Sequence, residues 1–199
     1  IKTLTELKSP TDRKSLQSLL GFFGFNRKWI PQYASLTHCM FQLLRKGVPF
    51  KWTKTCEENL QKLKEAAKNS ITLCVPDLHD KEQSYELVVD GSKYGMGAHL
   101  SQKINGERRI IGYFSKAVPP HKREWGQTKL ELLTLVHAIK FWEPYLKGTH
   151  FKVKTDCLSL TRLDTIFAKN NPTLRRKIQA LAEHSFDIVH LSGATELYG

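Results

Sequence analysis

No stretch of this 199-residue sequence is long and apolar enough to cross a membrane, because lysine and arginine recur throughout it. No signal peptide is visible, and no basic amphipathic helix with a broad apolar face suggests a membrane-surface partner. Cysteine is sparse: Cys39, Cys56, Cys74 and Cys157 form no CxxC pair and no CxxC…HxxxH spacing. That argues against a zinc site and for reduced thiols in an intracellular, reducing compartment, cytoplasmic or nuclear. Acidic residues are the other deficit, with 19 Asp and Glu against 31 Lys and Arg, a net charge of +12. The excess is shared, 13 basic against 7 acidic over residues 1–80 and 18 against 12 over 81–199, so no charged tail accounts for it. A polyanionic partner is expected, and nucleic acid fits it best.

What is present falls into two textures. Residues 1–69 read as helical. Ser9 caps a first helix with Pro10 in its first position and Asp12 in its first turn, and Leu16, Leu19, Leu20 and Phe23 form its apolar stripe. Pro31 interrupts; a second helix runs over 36–45 to Gly47, and a third opens with the capping box Thr55–Glu58 and carries Leu60, Leu63 and Ala67 inward. After Pro76 come strands at 85–90, 97–102 and 109–115, with Asn105-Gly106 as a hairpin turn. A long helix over 123–146 follows, then a strand at 151–155, helices at 158–167 and 173–184, and a last strand at 186–191. The order βββαβααβ predicts a mixed sheet with helices packed on it.

Carboxylates punctuate this pattern. YELVVDGSKYGMGAHLSQ (85–102) is a buried-strand run that ends on Asp90, and FKVKTD (151–156) ends on Asp156. If the two strands are adjacent and parallel, both acids lie at one edge of the sheet, the usual place for a site in open α/β sheets. Glu131 shares a helix face with Leu135, Ala138 and Trp142, so it points at the sheet. Taken singly, a strand-ending Asp is most often a turn residue, and a helical Glu is most often solvated; their joint placement favours a site. Three clustered acids in so basic a chain suit hard divalent cations with oxygen ligands, Mg²⁺ or Mn²⁺. Two such ions about 4 Å apart activate a water and stabilise the leaving oxygen of a phosphodiester. Gly91, Gly95 and Gly97 would let a nucleic-acid strand approach closely.

LVVDGSKYGMGAHLSQ, IIGYFSKAV, TKLELLTLVHAIKFWEPYL, FKVKTDCLSL and FDIVHLSG, in this order, resemble the RNase H domain of gypsy-like LTR-retrotransposon and retroviral reverse transcriptases. The segment before them, LQSLLGFFGFNRKWIPQYASLTHCMFQLLRKGVPFKWTKTCEENLQKLKEAAKNSITLCVPD, resembles the thumb and short connector of the same polyproteins. The resemblance implies an RNase H-like mixed five-stranded sheet with flanking helices, of the α/β (α+β) class, preceded by a small helical thumb-like bundle. It divides the chain into a thumb-like segment and connector, 1–75, and an RNase H-like domain, 76–199, truncated at its C-terminal helix. It makes Asp90, Glu131 and Asp156 the catalytic, metal-binding acids, with two Mg²⁺ or Mn²⁺ ions if the site is complete, acting on the RNA strand of an RNA/DNA hybrid. It places nucleic-acid contacts at Arg27 and Lys28, in the thumb helix around residues 21–29, and at Gly91 and Ser92. Nothing matches the polymerase aspartates of the palm, so partners include the polymerase part of the same polyprotein or a host protein complex.

The chain also departs from the family pattern. Cys157 stands where a histidine commonly follows the second aspartate, and Lys93 where an acid is often found. The sequence stops at Gly199, about where a final Ala-Asp is expected, with Glu196 as a possible substitute. Three acids alone predict weak cleavage that is better with Mn²⁺. The competing reading is a non-catalytic, connection-like or domesticated module for nucleic-acid binding or protein assembly. His99 reads as a packed or rim histidine; His121 and His190 are candidates for a site edge that the sequence does not place. Trp29, Trp52, Trp125 and Trp142 read as packing residues. At least one of the clusters 108–109, 122–123 and 175–177 is expected to track a phosphate backbone.

Overall fold

A computed structural model describes residues 7–68, 75–77, 85–162 and 172–191. The later part of the helix expected over 158–167, Cys74 and Glu196 lie outside the described residues. The first helix, α1 (Arg13–Phe25), starts later than predicted. Its cap is Asp12 rather than Ser9, because Asp12 accepts from the Ser15 backbone N–H at 2.8 Å while the Ser15 hydroxyl accepts from the Asp12 backbone in return. The Ser9 hydroxyl instead donates to Glu57 Oε2. After a 3₁₀ turn at Arg27–Trp29 come α2 (Tyr33–Leu43) and α3 (Lys54–Lys68). The cap of α3 is also shifted: Thr53 Oγ1 accepts from the Cys56 N–H at 3.3 Å, so Thr55 lies inside the helix. The apolar stripe of α1 is buried as its spacing implies. Leu16, Leu19, Leu20 and Phe23 pack with Ile30, Met40, Cys56, Leu60 and Leu63 into a core of their own.

The sheet begins with an antiparallel meander, β1 (Tyr85–Gly91), β2 (Gly95–Ile104) and β3 (Glu107–Ala117). Asn105 and Gly106 turn β2 into β3 at φ 53° and 84°, the two left-handed positions that a two-residue hairpin needs. β4 (His150–Thr155) pairs parallel with β1, and β5 (Ser185–His190) pairs parallel with β4, giving the strand order β3-β2-β1-β4-β5. The result is an RNase H-like mixed sheet with flanking helices. The single long helix expected over 123–146 is divided into α4 (Gln127–Phe141) and the short α5 (Glu143–Leu146). Pro144 has no N–H to continue the ladder, and Trp142 leaves helical geometry at φ −103°, ψ 20°. Its indole nonetheless joins the core, where Leu130, Leu133 and Ala138 of α4 meet Leu87, Val89, Leu100 and Val153 of the sheet. α6 (Pro172–Gln179) brings Ile178 to the same core.

The helical part docks on the β2–β3 end of the sheet. The Ala34 N–H donates to Ser115 Oγ at 2.7 Å, and the His38 ring stacks on Tyr94 with centroids 4.7 Å apart. Gly95 sits so close to α2 that a Cβ there would lie 3.2 Å from the Ser35 backbone nitrogen, which is why this strand opens with glycine.

Candidate active site

Two neighbouring parallel strands carry the two aspartates to the same end of the sheet. The β1–β4 register runs as far as Val88 beside Lys154; Asp90 and Asp156 each follow two residues further along their chains, Asp156 just past the end of β4. Strand alternation sends Leu87 and Val89 toward α4 and leaves Glu86, Val88 and Asp90 on the opposite face. There Glu86 is paired with Arg108 at 3.3 Å and Lys154 at 2.8 Å.

Glu131 reaches the same edge from the α4 side and is fully buried. Its Oε1 accepts from the Gly91 N–H at 2.8 Å and from Gln127 Nε2 at 2.8 Å, and its Oε2 is buried with no hydrogen-bond partner among the described residues. Burial pushes its pKa up to about 8; the Asp156 and Asp90 charges reinforce the shift, and the Gly91 N–H and Gln127 amide oppose it. A buried carboxyl with one unused oxygen is costly unless something charged or protic comes to it.

Asp90 is half-buried, and its Oδ2 accepts from Gln32 Nε2 at 2.8 Å. Gln32 is a non-glycine residue in left-handed geometry, φ 50°, at the start of α2, and with Pro31 it closes over the hollow between Asp90, Gly97 and Tyr113. Asp156 is exposed, and His190 Nε2 lies 3.0 Å from its backbone oxygen. The three carboxylates therefore share one edge. They do not close into a metal cage with the side chains as they stand: among the described residues no three His, Cys, Asp or Glu are grouped to hold an ion. The donor set is still all oxygen, and Glu131 Oε2 has no partner among the described residues to give up, so the residues suit a hard divalent cation once Gln32 yields.

The other sequence-predicted residues are distributed around this edge. Gly91 spends its N–H on Glu131, and the Ser92 hydroxyl donates to the Gly95 carbonyl within the β1–β2 turn. Arg27 and Lys28 lie exposed on the 3₁₀ turn, with Lys28 Nζ 4.2 Å above the Trp29 ring. His99 is a packed histidine: burial, and then the nearby Arg108, push its pKa down to about 4. Trp142 is core, Trp125 packs against that core, and Trp52 donates to Glu57 Oε2 at 2.7 Å beside the helical core.

Two side chains that hydrogen-bond the carboxylates escaped the sequence reading. Gln127 stands one helical turn before Glu131, a spacing that could have flagged it as a partner. Gln32 lies 58 residues from Asp90 with no local signal of the contact. Gly91 also has a packing role, since a Cβ there would lie 2.8 Å from Thr134 Oγ1 and 3.0 Å from the Leu130 backbone. Gly91→Ala should push β1 away from α4 and destabilise the fold by about 1–3 kcal/mol, measurable by denaturant unfolding. An unchanged midpoint would mean that the strand–helix contact is looser than described.

Residues 52–153 match the family model of the RNase H-like domain found in reverse transcriptase. The chain belongs to that family. Asp90 and Glu131 lie inside the matched stretch, and Asp156 lies three residues beyond it. The chain is 30% identical over 184 residues, 92% of its length, to the retrovirus-related Pol polyprotein from transposon 412 of Drosophila melanogaster. It is 30% identical over 198 residues, 98% of its length, to the transposon Tf2-3 polyprotein of Schizosaccharomyces pombe. It spans only 15% of each of these relatives. Among solved structures, the foamy viral protease-reverse transcriptase in complex with RNA/DNA hybrid superposes with a TM-score of 0.72 at 19% identity, over 98% of this chain and 27% of that one. The same viral protein in complex with dsDNA gives 0.71 at 19% identity, over 96% and 40%. The protein is thus an RNase H-like segment of the retrotransposon and retroviral reverse-transcriptase kind, and none of its described helices is long and apolar enough to cross a membrane.

Proposed function

We propose that this segment binds an RNA/DNA hybrid and hydrolyses its RNA strand with divalent metal ions held by Asp90, Glu131 and Asp156. The observation that carries the reading is the buried Glu131 Oε2, with no hydrogen-bond partner among the described residues, at an edge shared with two aspartates. Bound there, divalent cations would supply an activated water and charge for the leaving oxygen. The chain's own residues prepare that chemistry. The Gly91 N–H and the Gln127 amide fix one Glu131 oxygen and leave the other free to ligate, while the parallel β1–β4 pairing sets the spacing of the two aspartates. We assign residues 1–75 to a thumb-like unit and 76–199 to the RNase H-like unit. Hybrid or duplex nucleic acid and the polymerase part of the same polyprotein are the proposed partners, in a reducing compartment inside the cell. The test is metal-induced stabilisation together with cleavage of a hybrid's RNA strand, both of which Asp90→Asn should remove.

A second reading, a non-catalytic binding module, draws on the amide that Gln32 places against Asp90. Gln32→Ala separates the two. On the catalytic reading it frees a ligand oxygen and should tighten Mn²⁺ binding severalfold, as read by calorimetry. If metal binds neither protein, the module reading gains.

A further inference from the structure

A groove of about 300 Å³ lies between α2 and the end of β3, and none of the three carboxylates lines it. Four cationic side chains from separate stretches of the chain line it. Arg27 comes from the 3₁₀ turn, Arg45 from just past α2, Lys116 from β3, and Arg123 from just past the turn at Pro120–Lys122. No carboxylate is among the described lining residues, and none of the four cations makes an ion pair among the described residues. Like charges gathered here with no lining carboxylate raise the local positive potential and favour an anion from outside. The positive potential is felt by His38, inside the groove, whose pKa is lowered by burial and then by Arg123 and Arg45.

The groove is also tied to the aspartate edge. His38 stacks on Tyr94, Arg123 lies 5.6 Å from the centroid of the same ring, and Tyr94 belongs to the turn that begins at Gly91. Guanidinium forks on both walls match the paired oxygens of a phosphate and need no metal.

We propose that this groove holds backbone phosphates of the same duplex whose RNA strand lies at Asp90, so that the helical unit and the sheet clamp one nucleic acid together. The inference rests on the nucleic-acid reading above but not on catalysis. It is tested by anisotropy titrations of a short labelled RNA/DNA hybrid in EDTA across a salt series. Arg45→Gln with Lys116→Gln should flatten the log–log salt slope by about 1–2 and weaken binding about tenfold at physiological salt. Lys62→Gln with Lys140→Gln removes the same charge from exposed helix positions outside the groove and should cost less than about twofold. Arg123→Gln is read separately beside its melting curve, since Arg123 also packs on Tyr94; with its melting unchanged, it should weaken hybrid binding.

Equal losses in the groove and control pairs would overturn the proposal. Stabilisation of the groove by inorganic phosphate alone, with hybrid affinity unchanged in the groove pair, would make it a small-anion site and also overturn it. If the unmutated protein shows no metal-dependent cleavage yet the groove pair loses affinity as stated, the nuclease reading falls and the groove stands. If cleavage persists while the two pairs behave alike, the reverse holds.

Discussion

Asp90→Asn should lower metal-dependent cleavage of the RNA strand by about a thousandfold and abolish stabilisation of the fold by Mn²⁺, while leaving the metal-free fold intact. The substitution keeps shape and volume. The asparagine oxygen can still accept from Gln32, now at 2.8 Å from the aspartate, so the contact that holds α2 to β1 has a replacement. The negative charge that would bind a cation beside Glu131 is lost, and an amide oxygen is a weaker ligand for a hard ion. A 5′-labelled hybrid reports cleavage, and thermal unfolding with and without Mn²⁺ reports ligation. The two readouts should fall together. If the variant cleaves at the unmutated rate, Asp90 is not a ligand, and the strand-end carboxylates are turn residues after all.

Metal-free protein should lose stability as pH rises from about 4.5 to about 8, and Glu131 is the source. Its folded-state pKa stands at about 8 against an ordinary 4.5. Between those values the folded state retains a proton that the unfolded chain has released, so each step up in pH favours unfolding. The loss from this group is on the order of a few kcal/mol, complete above the folded-state pKa. Glu131→Gln should remove it, and so be more stable than the unmutated protein at pH 8 without metal. His99 works the other way: held neutral by burial to about pH 4, it costs stability as pH falls below 6.5. The difference between unmutated protein and Glu131→Gln at each pH therefore isolates Glu131. Saturating Mn²⁺ should restore the unmutated protein at pH 8 and leave the glutamine variant unmoved. A pH-independent difference between the two would show that the carboxyl is solvated in solution.

Much of the architecture was legible in the order of the residues, because it is written in short periods. Short apolar runs bounded by turn residues marked β1 to β3, Asn105-Gly106 marked the hairpin, and the 3.6-residue stripe of Leu16, Leu19, Leu20 and Phe23 marked the buried face of α1. The errors were local competitions. Asp12 outcompeted Ser9 as a cap because Ser15 could reciprocate, Thr53 took the place of Thr55, and Pro144 ended a helix whose apolar pattern ran on through it.

The sequence by itself determined the element order, the acids at Asp90 and Asp156 on strand ends, the inward face of Glu131, and a positive charge spread over both halves of the chain. The tertiary structure alone decided that β1 and β4 are parallel neighbours, and that Gln32 is held against Asp90. It alone left one oxygen of Glu131 buried with no hydrogen-bond partner among the described residues, and gathered Arg27, Arg45, Lys116 and Arg123 around one groove. The physical reason is range. Periodicity and capping act within a few residues and can be read along the chain, whereas desolvation and the meeting of charges depend on which distant surfaces pack together.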